Sequence, residues 1–231
     1  VQIVLTMLAD AWALQQSAGD SAAALATARA AVDRARVPGS EWLEVQAIQM
    51  LGALESDAGE YQLAEATLRR GLLAAETAGV DRSMASLWSR LSWAVSAQGR
   101  YVEALELADH AQAWMKRTGA TEVARGDLSH LRGVVLQAMG RYDEAEAAFR
   151  LALSVRRSAP RAPPAPIAAS LNMVGSALQG RGAYDEAFER YQETLALVEA
   201  AFGPNTPRAA GPLNNLGRVL AARGEHGEAS L

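Results

Sequence analysis

The chain has 231 residues, half of them hydrophobic, a net charge of −4 and no cysteine. That is ample apolar material for one large domain or two small ones, which excludes overall disorder, and the missing thiols remove disulfides, thiolate zinc sites and cysteine nucleophiles together. Ala and Leu dominate the apolar class and aromatic residues make up only 6%, a bias that predicts an all-α fold. The 22 Lys and Arg are scattered among 26 Asp and Glu, so no basic stripe exists to collect a phosphate backbone and a nucleic-acid partner is not expected.

At the N-terminus, VQIVLTML is apolar but lacks a basic flank and runs into ADAWALQQ. It reads as an amphipathic helix rather than a signal peptide or membrane anchor, and with no cysteine the expected compartment is the cytoplasm. Val1 in place of Met, and a stop at Leu231 a few residues into a repeat, set the expectation of a segment cut from a longer protein.

A unit then recurs: GEYQLAEATL starts at 59, GRYVEALELA at 99, GRYDEAEAAF at 140 and GAYDEAFERY at 182. The aromatic slot holds Tyr61, Tyr101, Tyr142, Tyr184 and His226, with Ser21 in a divergent first copy, at a period of 40 to 42 residues. Three residues on stands Ala24, Ala64, Ala104, Ala145, Ala187 and Ala229; nine residues before it stands Gly52, Gly133, Gly175 and Gly217, with Trp12 and Ser92 as exceptions. A fixed period of this length predicts a stacked array in which each unit buries its apolar face on its neighbours. The expected repeats are 1–38, 39–79, 80–119, 120–160, 161–203 and an incomplete 204–231.

Within a unit, Leu171, Val174 and Leu178 recur at helical spacing, and Gly182 supplies the left-handed residue that ends a helix. Asp185 and Glu186 then place negative charge in the first turn of a second helix with the inner stripe Phe188, Tyr191, Leu195 and Val198. Each unit is therefore a helical hairpin, with Gly175 and Ala187 expected to let the two helices approach. Trp88, Trp114 and the Tyr61 series are expected in the core. Pro160, Pro163, Pro164 and Pro166 predict an extended, solvent-facing arm between the fourth and fifth units.

The sequence offers no catalytic constellation. His110, His130 and His226 lie in different repeats without metal-ligand spacing, no phosphate-binding GxxxxGK[ST] occurs, and the Gly180–Gly182 pair follows a helix rather than a strand. Acidic pairs such as Asp143 and Glu144 are accounted for by helix starts. The expectation is a non-enzyme without metal or cofactor.

The order of small residue, G-x-Y, alanine, then an aromatic or leucine resembles the tetratricopeptide repeat. FGPNTPRAAGPLNNLGRVLAARGEHGEA, from Phe202 to Ala229, is similar to the 42-residue variant of kinesin light chain, with its FGP-x-x-P linker and LNNLG. The resemblance is strongest over 128–231 and implies a right-handed superhelical solenoid of about six helix-turn-helix repeats whose first helices line a concave groove. Carried over residue by residue, the groove positions read Ala9, Gln49, Ser89, His130, Asn172 and Asn214; Ala13, Ala53, Trp93, Val134, Ser176 and Arg218; and Gln16, Ser56, Ser96, Gln137, Gln179 and Ala221. Gln49, Ser89, Trp93, His130, Gln137, Asn172, Gln179, Asn214 and Arg218 are the candidate binding residues, because amides both donate and accept and suit the backbone of an extended peptide.

Two readings stand for Asn172 and Asn214, cargo contact or contact between neighbouring helices, and two for Trp93, apolar anchor or core. His130 is either a groove residue or a solvated side chain, and Arg90 and Arg132 either flank the groove or pair with acidic neighbours. The implied function is a protein-interaction scaffold with a protein or peptide partner. WLEVQAIQMLGALESDAGEYQLAEATLRRGL looks, in texture, like the C-terminal regions of large bacterial serine/threonine kinases. That likeness implies a catalytic domain upstream of Val1 and, as the alternative, a sensor of a small molecule or signalling peptide.

Overall fold

The structure, a computed structural model, describes residues 1–15, 20–158 and 162–224. Two compact units divide it, Val1–Ala120 and Thr121–Leu231. The first unit holds α1 (Gln2–Ala13), α2 (Ser21–Arg34), α3 (Glu41–Asp57), α4 (Tyr61–Ala78), α5 (Asp81–Ser96) and α6 (Tyr101–Thr118), packed as three successive antiparallel hairpins. The second holds α7 (Glu122–Ala138), α8 (Tyr142–Ser158), α9 (Pro164–Gly180), α10 (Tyr184–Phe202) and α11 (Ala210–Ala222), two hairpins and a further helix. The all-α expectation holds throughout the described residues. Gln16, Pro160, His226 and Ala229 lie outside them.

The turn inside each hairpin follows from one glycine. Gly182 sits at φ +84°, a left-handed conformation that costs Gly nothing and other residues about 1 kcal/mol or more. There its N–H donates to the Gln179 carbonyl at 3.0 Å, and Ala183 N–H donates to Leu178 at 2.9 Å. Those two bonds satisfy carbonyls that the end of α9 would leave open. The same pair recurs at Gly59 with Glu60 and at Gly140 with Arg141, so α4 and α8 restart immediately after the turn.

The small residue nine positions before the aromatic slot makes room for one large side chain on the second helix. A Cβ on Gly175 would lie 2.7 Å from Cε1 of Tyr191, one on Gly133 2.5 Å from Phe149, and one on Gly52 2.7 Å from Leu68. All three large side chains are fully buried, each worth about 1.5–3 kcal/mol of apolar burial. Where the residue sixteen positions on is the small Ala108, the slot holds Ser92, whose hydroxyl donates to the Ala104 carbonyl at 2.7 Å. In α1 the slot holds Trp12, which stays 55% exposed. Ala24, Ala64, Ala104, Ala145 and Ala187 are all completely buried.

Three expectations are corrected. Pro164 and Pro166 belong to the first turn of α9 rather than to an extended arm: proline is tolerated there because the first N–H groups have no partner to lose and φ near −65° is already helical. Trp114 is half-buried under the Arg117 guanidinium, 4.5 Å from the ring centre, and Trp88 is half-buried and stacked on His110 at 4.6 Å. Tyr61, Tyr101, Tyr142 and Tyr184 are likewise half-buried, because the first residue of a second helix lies at the hairpin's end, where neighbours cover only one face.

Sequence reading also missed a buried acid. Val95, Leu136, Leu178 and Leu220 fill equivalent buried positions, but α3 places Glu55 there, 1% exposed, with Oε2 unpartnered and Arg29 3.9 Å from Oε1. No described helix is long and apolar enough to cross a membrane. Among the described residues no group of three or more His, Asp or Glu side chains is placed to hold a metal ion.

Candidate functional site

Three first helices, α7, α9 and α11, lie side by side in the second unit, and each presents a stripe at helical spacing of i, i+4 and i+7. On α9 that stripe is Asn172, Ser176 and Gln179. A cleft of about 510 Å³ opens over it, walled by Val134 and Gln137 from α7, Ser176, Gln179 and Gly180 from α9, and Arg218 from α11. Tyr142 and Tyr184, the first residues of α8 and α10, complete the lining.

Two hydrogen bonds order the polar wall of this cleft. The Tyr191 hydroxyl, at the end of a fully buried ring, donates to Gln179 Oε1 at 3.1 Å. Ser176 stands beside the same phenol, and its Oγ accepts from Gln137 Nε2 at 3.1 Å. Burial pushes the Tyr191 phenol up to about 12, with Arg218 and Ser176 opposing, so it remains a donor at neutral pH. Beyond these bonds Gln137 Oε1 is buried without a partner, and the Gln179 amide nitrogen remains as a donor.

Of the nine candidate residues, the structure gathers Gln137, Gln179 and Arg218 around this cleft. Asn172 lies next to it, accepting from Asn215 Nδ2 at 2.9 Å, a bond between α9 and α11 of the kind the packing reading anticipates. Asn172 also lines a smaller cavity of about 210 Å³ with Thr194, Val198, Phe202 and Arg208; there the Arg208 guanidinium stacks 4.6 Å from the Phe202 ring centre. Asn214 is exposed on α11 and lines neither cavity. His130 faces Phe149, with ring centres 5.5 Å apart and Nδ1 buried without a partner. Burial first, and Arg156 second, hold its imidazole below the ordinary value, so it is a neutral ring against the core.

In the first unit, Gln49 Nε2 donates to Ser86 Oγ at 2.9 Å, joining α3 to α5. Ser89 donates to the Ala85 carbonyl of its own helix, and Trp93 is 42% exposed. Arg90 acts electrostatically on Asp57 of the preceding hairpin. Sequence reasoning missed Tyr142, Tyr184, Ser86 and Asn215. For Tyr142 a signal exists in retrospect: a Cβ on Gly180 would lie 2.4 Å from its ring, so the extra glycine before the turn seats the tyrosine of the preceding repeat.

Successive antiparallel hairpins with a small residue opposite a large one, a Gly turn and a stripe of amides on the first helices define a helical-repeat array. The chain belongs to the tetratricopeptide repeat family, whose pattern matches residues 83–158 and 166–231. No curated protein matches the sequence. Among solved structures, BtubC (BKLC) from P. vanneervenii is 20% identical with a TM-score of 0.75, over 89% of this chain and 85% of that one. Kinesin light chain TPR-like repeats of Podosopora anserina are 21% identical with a TM-score of 0.68, over 80% of this chain and 90% of that one. The apo quorum sensor NprR from B. thuringiensis is 16% identical with a TM-score of 0.75, over 99% of this chain and 62% of that one. At these identities the likeness is one of fold. None of the three is described as a kinase.

Proposed function

We propose that this chain is a non-catalytic binding module and that the cleft of the second unit takes an extended peptide or protein segment. One observation supports the reading most: the cleft is lined by amide and hydroxyl groups held by two hydrogen bonds, with the Gln137 acceptor and the Gln179 donor left over. A peptide backbone, which offers an N–H and a carbonyl at every residue, matches that pair without regard to its side chains. A buried acceptor lacking a donor costs about 1–3 kcal/mol, and an incoming N–H removes that cost.

Display of a degenerate peptide library against the whole chain tests this. Captured peptides are expected to lose at least about tenfold in affinity when Gln137 and Gln179 are both changed to Ala, the worth of one or two well-made hydrogen bonds. Undiminished affinity in that variant moves binding to another surface. The cleft's volume also suits a small ligand, the sensor reading; that reading gains if the library yields nothing while small metabolites raise the melting temperature.

A further inference from the structure

One guanidinium nitrogen in the first unit serves two carboxylates. Nη2 of Arg29, on α2, stands 3.4 Å from Oε2 of Glu60 and 3.9 Å from Oε1 of Glu55. The two acids are unlike: Glu60 is exposed at the cap of α4, whereas Glu55 is 1% exposed and its Oε2 has no partner. An unpartnered oxygen is tolerable on a neutral carboxyl and costly on a carboxylate, so the site suits the protonated acid. Arg29 acts on Glu55 from α2, Arg70 and Glu60 act from α4 and its cap, and Thr67 of α4 stands beside the carboxyl. On α5, Arg90 acts on Asp57, and the one ionisable side chain of α1 is the exposed Asp10. Burial outweighs the groups that favour the carboxylate and raises Glu55 above its ordinary value.

This acid sits where two hairpins meet. α2 ends the first hairpin and α3 begins the second, and their common core includes Ala28, Ala31, Ala47, Leu51 and Leu54. Three of the five buried residues of α2 are alanine; each buries little apolar area, so this joint has less to hold it than one built on leucine. We propose that the joint between the first two hairpins is proton-gated: closed while Glu55 is neutral, and loosened when Glu55 ionises and draws Arg29 away from Glu60. Neutral Glu55 leaves the shared nitrogen to Glu60. Ionised Glu55 competes for it, and its Oε2, still without a protein partner, then requires water inside the joint. The sign follows from the raised value: closure is fully supported below the ordinary 4.5 and is lost as pH rises through the folded-state value.

Hydrogen exchange of the whole chain, read by mass spectrometry between about pH 4 and 8, tests the gate once each amide's rate is divided by its intrinsic rate at that pH. In the parent, protection of α2 and α3 relative to α5 and α6 is expected to fall as pH rises, by about tenfold for each unit by which folding raises the acid. Glu55→Gln, the neutral isostere, and Glu55→Leu, which restores the apolar residue of the other repeats, are each expected to hold that ratio constant. Arg29→Gln is expected to move the fall to higher pH, because the cation that favours the carboxylate is gone; an arginine with a merely structural role would leave the midpoint in place. A ratio independent of pH in the parent, or a fall that persists in both Glu55 variants, overturns the gate. A midpoint unmoved by Arg29→Gln overturns the role of the shared cation in it.

Discussion

Substituting Gly175 by Ala puts the large-against-small packing rule to a quantitative test. The added Cβ would stand 2.7 Å from Cε1 and 2.9 Å from Cδ1 of Tyr191, the nearer contact 0.7 Å short of the 3.4 Å at which ordinary contact begins. The ring cannot simply step aside, because it is fully buried and its hydroxyl is tied to Gln179. Overpacking of this kind costs about 1–3 kcal/mol, while Ala in a helix interior returns about 0.8–1.0 kcal/mol relative to Gly. The net loss is about 1 kcal/mol, a drop of about 2–4 °C in Tm for a chain of this size. Thermal melts followed by circular dichroism measure it directly. If the cause is the ring, Gly175→Ala should cost less in a Tyr191→Leu background, a coupling of about 0.5–3 kcal/mol between touching residues. A Gly175→Ala protein as stable as the parent, or a cost unchanged in the Tyr191→Leu background, refutes the packing argument.

Two buried or paired acids of the first unit should respond to pH in opposite senses. Burial raises Glu55 above its ordinary 4.5, with a Thr67 hydrogen bond opposing, so its contribution is full below that value and is lost as pH rises through the raised one; Glu55→Leu should therefore raise Tm by several degrees at pH 8 and by less at pH 4. Glu65, bound by Arg100 at 2.8 Å and by Gln98 and Arg69, is lowered to about 2. Its contribution is present above 4.5 and disappears as pH falls toward 2, so Glu65→Gln should flatten acid unfolding in that window, and a parallel acid limb would count against the pairing. Pro166→Ala should shift Tm by no more than about 2 °C, because a first-turn proline gives up no helical hydrogen bond; a much larger shift would mean that the residue does not sit in the first turn of α9.

Much of the fold was legible because the repeat writes the same physical constraint several times. A left-handed turn needs Gly182 and its counterparts, a close helix approach needs Ala187 and its counterparts, and each recurrence at 40 to 42 residues checks the last. Apart from the half-buried Tyr61 series, what failed was local and unrepeated. The prolines of α9 were misread because proline's ban on helices does not extend to the first turn, and Glu55 was invisible because one acid in an apolar register looks the same whether exposed or buried. The site was legible as a stripe but not as a circuit. Periodicity placed Gln137, Gln179 and Arg218 on one face, yet which amide is spent within the protein depends on partners in neighbouring repeats: Asn172 is taken up by Asn215, whereas Gln137, held through one end of its amide, keeps the other unsatisfied. A one-dimensional pattern lists the groups that could bind, and only the hydrogen-bond ledger across helices separates those that join the repeats from those left facing the cleft. In this array that ledger closes at Asn172 and stays open at Gln137.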